Sequence, residues 1–205
     1  MPRTRAVLRT VNFVLALLLT PSLTLAAAAP EKPAAAKPVA PAVPGPDLVA
    51  ANPGGSAVVV AVISYENLAG HQVQERLAAF AKQNPGIKVL IRPTSGGGPL
   101  SEFLAKAAYT AARQGKFLAF HDAAVAAPQA YTWHSLRDSA PILGLDWARF
   151  QSDFMDPAVV DAVRANAEFA KERGIAAPPA FVAGGQVFAG PWAILDLRAV
   201  AAAAK

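Results

Sequence analysis

The chain has 205 residues, 19 basic and 14 acidic side chains and no cysteine. Its length suits one domain of ordinary size with additional segments. Without sulfur nucleophiles it has no thiolate, which is the attacking group in disulfide exchange and a common zinc ligand. The formal charge of +5 includes Arg3, Arg5 and Arg9, and removing those three leaves about +2. No later segment clusters lysine and arginine with interleaved aromatics, so nucleic-acid binding is not expected.

Residues 1–28 read as an export signal. The three arginines form the basic region, Val14–Leu19 the apolar core, and Leu25–Ala27 and Ala26–Ala28 offer small-x-small cleavage sites. The apolar run falls short of the roughly 18 residues needed to span a bilayer. A periplasmic or secreted protein is therefore expected, with no stable membrane insertion after cleavage. Residues 29–54 are rich in alanine and proline, including Pro33, Pro38, Pro41, Pro44, Pro46 and Pro53. Such spacing excludes helix and favours a semi-stiff coil. This linker serves either as a spacer or as a leader with no role.

The folded domain is expected over 55–205. Ser56–Ser64 is a continuous, largely β-branched apolar run, as in a strand covered on both faces. Asn67 suits a helix N-cap, and Leu68, Val73, Leu77 and Phe80 give the following helix an apolar stripe. Asn84-Pro85-Gly86 ends it, and Ile87–Pro93 reads as a second strand, parallel to the first. The loop Gly96–Pro99 lacks the Lys-Ser/Thr that a phosphate-binding loop requires.

A helical insertion is expected over about 99–174. Ser101 would cap its first helix, which ends at Gly115, and Phe117–Val125 would form the next. Tyr131–Ser135 reads as a connection to a helix around Leu136–Leu143. Asp146 opens another helix through Met155, and Pro157 begins the last, ending at Arg173-Gly174. Strand patterns return at Ala180–Ala183 and Gln186–Ala189, joined by Gly184-Gly185 as a hairpin. A C-terminal helix follows from Trp192 to Ala204. The fold class is α/β: the order β-α-β, helical insertion, β-β-α is the thioredoxin fold with an inserted α-helical domain.

Four segments resemble the DsbA family of thioredoxin-like periplasmic proteins. They are the first strand with Tyr65-Glu66; Ala111–Asp122, similar to a helix-Gly-Lys-aromatic-x-x-Phe-His-Asp segment; Gly144–Ala170, similar to the late insertion helices; and Gly174–Val182, similar to Gly-Ile-x-Gly-Thr-Pro-Ala-Phe-Val. The resemblance places the family's Cys-x-x-Cys at Asn67-Leu68-Ala69-Gly70. It places the family's cis-proline at Pro179, and at Pro178 the residue whose backbone pairs with an extended substrate. Proline has no N–H, so one donor of that pairing is absent.

The remaining candidates are weaker. A Glu66–His71 pair could serve as acid and base. His71, His121 and His134 show no metal-ligand spacing, and His121-Asp122 reads as a packing and hydrogen-bonding element. No nucleophile elbow supports a serine triad through Ser64 and His71. Trp147 and Trp192 suit packing at helix starts, whereas Tyr131 and Trp133, in a loop, could line a groove.

These features lead to one expectation. The chain is a redox-inactive, DsbA-like protein of the cell envelope that binds a peptide or protein partner non-covalently. Its groove would comprise Tyr65, Asn67, Leu68, Ala69, Gly70, His71, Pro178 and Pro179, with no catalytic residue, cofactor or metal. The alternatives are a thiol-disulfide oxidoreductase by family label alone, or an enzyme of unrecognised type using Glu66 and His71.

Overall fold

The apolar run after Gly55 forms the central strand of a five-stranded mixed sheet. The structure is a computed structural model that describes residues 48–66, 71–96, 98–190 and 197–204, with the backbone alone at 71–73 and 197–198. The expected signal, most of the linker, Asn67–Gly70 and Trp192 lie outside the described residues. The strands are β1 (Leu48–Ala51), β2 (Ala57–Ile63), β3 (Ile87–Pro93), β4 (Ala180–Ala183) and β5 (Gln186–Ala189), in the order β1-β3-β2-β4-β5. β2 and β3 are parallel, in register from Ala57↔Ile87 to Ile63↔Pro93, and the other pairs are antiparallel. Helix α1 (His71–Gln83) makes the β2–β3 crossover.

The period-2 alternation explains why β2 is apolar at every position. Val59, Ala61 and Ile63 join Val89, Ile91 and Phe181 on one face, against Leu77 and Phe80 of α1. That cluster continues into the insertion. Val60 and Val62 join Leu90, Ala180 and Val182 on the other face, under Phe169, Ala170 and Ile175.

The insertion contains α2 (Pro99–Arg113), α3 (Phe117–Ala126), α4 (Trp133–Ser139), α5 (Trp147–Phe154) and α6 (Pro157–Glu172). A final helix, α7 (Leu197–Ala203), follows β5. Asp146 and Asp156 cap α5 and α6 by accepting from the N–H groups of Arg149 and Ala158, satisfying donors that a helix start leaves unpaired. Arg113, at the end of α2, bonds Asp156 at 2.8 Å and lies 3.5 Å from Asp153, tying α2 to the α5–α6 junction.

Three expectations need correction. The linker does not run to residue 54, because Leu48–Ala51 pairs antiparallel with β3 and Leu48 is buried in the core. The flanking Pro46 and Pro53 mask a four-residue strand whose pairing is long-range. Ser101 does not cap α2. The helix begins two residues earlier, at Pro99, and Gly98 occupies the N-cap position. Trp133 is not in a connection but opens α4. Thr132 and Ser135 form a capping box there, starting the helix one turn before its first buried leucine, Leu136.

Asn52 anchors the added strand. Its φ of 51° lies in the left-handed region that asparagine tolerates, and its amide donates to the carbonyls of Ala81, Asn84 and Ile87. One side chain thus joins the end of β1 to the end of α1 and the start of β3. Asn52→Ala should cost roughly 2–3 kcal/mol, from lost hydrogen bonds and left-handed strain. Asn52→Gly, free of the strain, should fall between that variant and wild type. Urea midpoints at unchanged m-value measure both; equal midpoints for Ala and wild type would remove Asn52 from this role.

Candidate functional site

The site expected from the sequence lies where β2 leads toward α1. Val62 pairs with Ala180, so Pro178 and Pro179 lie just beyond the last ladder pair, at the same end of the sheet as Ser64–Glu66. The Pro178–Pro179 peptide bond is cis. Pro179 is buried, and its carbonyl accepts the Gly190 N–H at 3.0 Å, whereas Pro178 is half-buried. The expected motif positions Asn67, Leu68, Ala69 and Gly70, and the side chain of His71, lie outside the described residues.

Tyr65 does not line a groove. It is fully buried, with ring contacts to Phe120 and His121. Its hydroxyl lies 3.0 Å from His121 Nδ1, His121 Nε2 lies 3.1 Å from Gln74 Oε1, and Gln74 Nε2 donates to Asp122 Oδ1 at 2.9 Å. The donor order follows from the last bond. With the amide nitrogen turned to Asp122, Gln74 presents its oxygen to His121, so Nε2 carries the proton. Nδ1 is then an acceptor, and Tyr65 donates to it.

Burial lowers the His121 pKa to about 4, so the ring is neutral near pH 7. Burial, followed by the influence of Tyr109 and Asp122, pushes the Tyr65 phenol well up and keeps its proton in place. His121-Asp122 therefore packs and hydrogen-bonds α3 (Phe117–Ala126) against α1. Gln74, the link on α1, went unnoticed in the sequence, because a glutamine at a helix surface carries no signal of its distant partner.

Glu66 has a structural engagement of its own. Its Oε2 accepts the Ser101 N–H at 3.0 Å, while its own N–H donates to the Ser101 hydroxyl at 3.4 Å. The Ser101 and Ser64 hydroxyls also bond, and both serines are buried. This reciprocal pairing resembles a capping box, but its carboxylate comes from another element. A carboxylate here satisfies an orphan donor and opposes the positive end of the α2 dipole. Gly98 has a φ of 120°, and a Cβ there would lie 3.2 Å from Glu66 Oε2. The acid–base alternative through Glu66 and His71 is thus not favoured.

A cavity of about 370 Å³ opens beside Pro178, between the loop after β3 and the end of α6. Among the described residues no group of three or more histidines and carboxylates could hold a metal ion. Tyr131 packs on Phe120 and is half-buried, while Trp133 joins Phe103, Trp147 and Phe154 in an aromatic cluster. Tyr131 packs within the insertion, whereas Trp133 packs there with 39% of its surface exposed.

The buried histidine makes stability depend on pH. Its folded pKa, about 4, lies below the ordinary 6.5, so the unfolded chain binds the proton first as pH falls. Its contribution is complete above about pH 6.5 and is lost as pH drops toward 4. The total is about 3 kcal/mol, with a slope approaching 1.4 kcal/mol per unit. Urea midpoints across this window should fall steeply for wild type and much less for His121→Gln. Parallel curves would show that His121 does not set this dependence.

The family model that matches the sequence describes a DSBA-like thioredoxin domain and spans residues 70–199, more than half of the chain. None of the curated proteins compared with the chain matches it. Among solved structures, a thioredoxin-like oxidoreductase from Silicibacter pomeroyi DSS-3 is 26% identical, covering 65% of this chain and 78% of its own, with a TM-score of 0.57. The thiol-disulfide exchange protein alpha-DsbA2 from Wolbachia pipientis is 19% identical, covering 76% and 86%, with a TM-score of 0.68. A periplasmic thioredoxin-like protein from Salmonella enterica serovar Typhimurium is 21% identical, covering 76% and 90%, with a TM-score of 0.62. The last two likenesses concern the fold, which is the one built above from strand order and inserted helices. This chain belongs to the family of DSBA-like thioredoxin domains.

Proposed function

We propose that this protein is a redox-inactive member of its family that works in the cell envelope and binds a peptide or protein partner non-covalently. One observation carries the reading. The sequence contains no cysteine, yet the chain on either side of the expected motif's end of the sheet is held in place: Tyr65 bonds to His121, Glu66 to the start of α2, and Pro178–Pro179 lies at the same end of the sheet. Thiol–disulfide exchange requires a thiolate to attack a disulfide sulfur, so the chain's own residues cannot perform it. A fold of this family without a nucleophile is suited to binding rather than to exchange.

Export is supported by the arrangement of Arg3, Arg5, Arg9, the Val14–Leu19 run and the small residues at 25–28. Among the described residues no helix is long and apolar enough to cross a membrane. The partner meets the chain at the end of the sheet that carries Glu66 and the half-buried Pro178. Pro178 offers it no N–H, so side-chain contacts carry more of the recognition than main-chain pairing.

Two measurements test this. Insulin reduction and disulfide isomerisation should both read as the no-enzyme blank, and turnover above it would overturn redox inactivity. Proteins captured by the wild-type chain from envelope extract should be lost when His71→Trp or Pro178→Trp replaces it, at unchanged urea midpoints. Undiminished capture by both variants would remove the groove from the binding role.

A further inference from the structure

The cavity beside Pro178 has a chemistry that narrows the partner. One wall is the loop Thr94–Gly96, another is Ala167, Ala170 and Lys171 of α6, and the connection from Gly174 through Pro178 closes it. The short side chains of Ala167 and Ala170 leave the space open. The Thr94 hydroxyl on its wall is already engaged, donating to the Ile63 carbonyl and accepting the Gly96 N–H. At about 370 Å³ it sits at the small end of ligand pockets, suited to a side chain rather than a large cofactor.

Charge at the rim has one sign. Lys171 is the one charged residue among the lining, is exposed, and has no ion pair among the described residues. Glu168, one turn earlier, faces Arg164 at 4.0 Å, and the exposed Glu172 does not line the cavity. Arg173 turns away, its guanidinium 4.5 Å from the Phe169 ring centre. The rim also offers main-chain donors. Ala176 and Ala177 are exposed, and no hydrogen bond among the described residues uses either N–H. These donors lie directly before Pro178, which has none.

We propose that this cavity receives one aliphatic side chain of an extended peptide, and that Lys171 pairs with an acidic residue within two positions of it. The inference rests on the partner-binding function proposed above and names the partner's local chemistry. In an extended chain residues i and i+2 face the same way about 7 Å apart, so a wall and its rim can read both. Carbonyls of the same peptide accept from Ala176 and Ala177, replacing the donor that Pro178 lacks.

The probes are acetylated, amidated hexapeptides: Ala-Ala-Leu-Ala-Glu-Ala, a version with serine for leucine, and one with lysine for glutamate. Binding to the purified full chain is followed by NMR shift titration. The leucine–glutamate peptide should bind best. Serine for leucine should weaken it at least about tenfold, the scale of burying one aliphatic side chain. Lysine for glutamate should weaken it about three- to fivefold, as expected for an exposed pair.

Lys171→Glu should reverse the preference between the acidic and basic peptides, and Ala167→Phe should fill the cavity and abolish the leucine preference. Urea midpoints confirm that both variants fold. Absent binding, equal binding of the serine peptide, or an unchanged preference in Lys171→Glu would each overturn the proposal. Repeating the extract capture with Lys171→Glu and Ala167→Phe separates the two readings. If the proteins lost with His71→Trp and Pro178→Trp are retained by these variants, the groove stands and the cavity does not serve it.

Discussion

Burial of β2 on both faces constrains everything around it. A strand covered on each side cannot carry a polar side chain without a partner, so Val59–Ile63 is apolar throughout and the first polar residue is Ser64. The chain leaves the sheet there, still inside the protein, with three residues that carry polar side-chain atoms. The insertion satisfies them. Ser101 takes Ser64 and Glu66, and His121 takes Tyr65. The helical domain is thus more than a cover: without Ser101 and His121 the polar groups it buries would be unpaired, at about 1–3 kcal/mol each.

This arrangement also fixes where α1 can lie. Gln74 is bonded both to His121 and to Asp122, adjacent residues of α3, so the first turns of α1 are held against the insertion by a directional network rather than by packing alone. A neutral imidazole is the one side chain that can accept at one nitrogen and donate at the other in so small a space. Burial is what keeps it neutral. The histidine's pKa and the helix's position are therefore consequences of the same buried contact.

Much of this was legible in the chain because it rests on local pattern. The continuous apolar run of β2, the Asn84-Pro85-Gly86 break, Pro157 at the start of α6 and the glycine pair of the β4–β5 hairpin each announce themselves within a few residues. What escaped notice depends on distant partners. β1 is too short and too closely bounded by proline to read as a strand, and exists because β3 has an open edge. Ser101 has the composition of a cap but is the third residue of α2, engaged by the serine and glutamate that it meets across the junction. Tyr65 adjoins the site in sequence, yet its side chain turns inward to a histidine 56 residues away.

The same distinction bears on the site. A Cys-x-x-Cys enzyme can hold a substrate weakly, because a covalent bond captures it and main-chain pairing aligns it. This chain has no sulfur for the first, and Pro178 removes a donor for the second. A partner bound at this end of the sheet, as proposed, gains its selectivity from buried apolar surface and complementary charge, which favour particular side chains. On the proposed reading a partner is selected by its sequence rather than its redox state, and the small-residue cavity with its lysine rim gives such selection physical means.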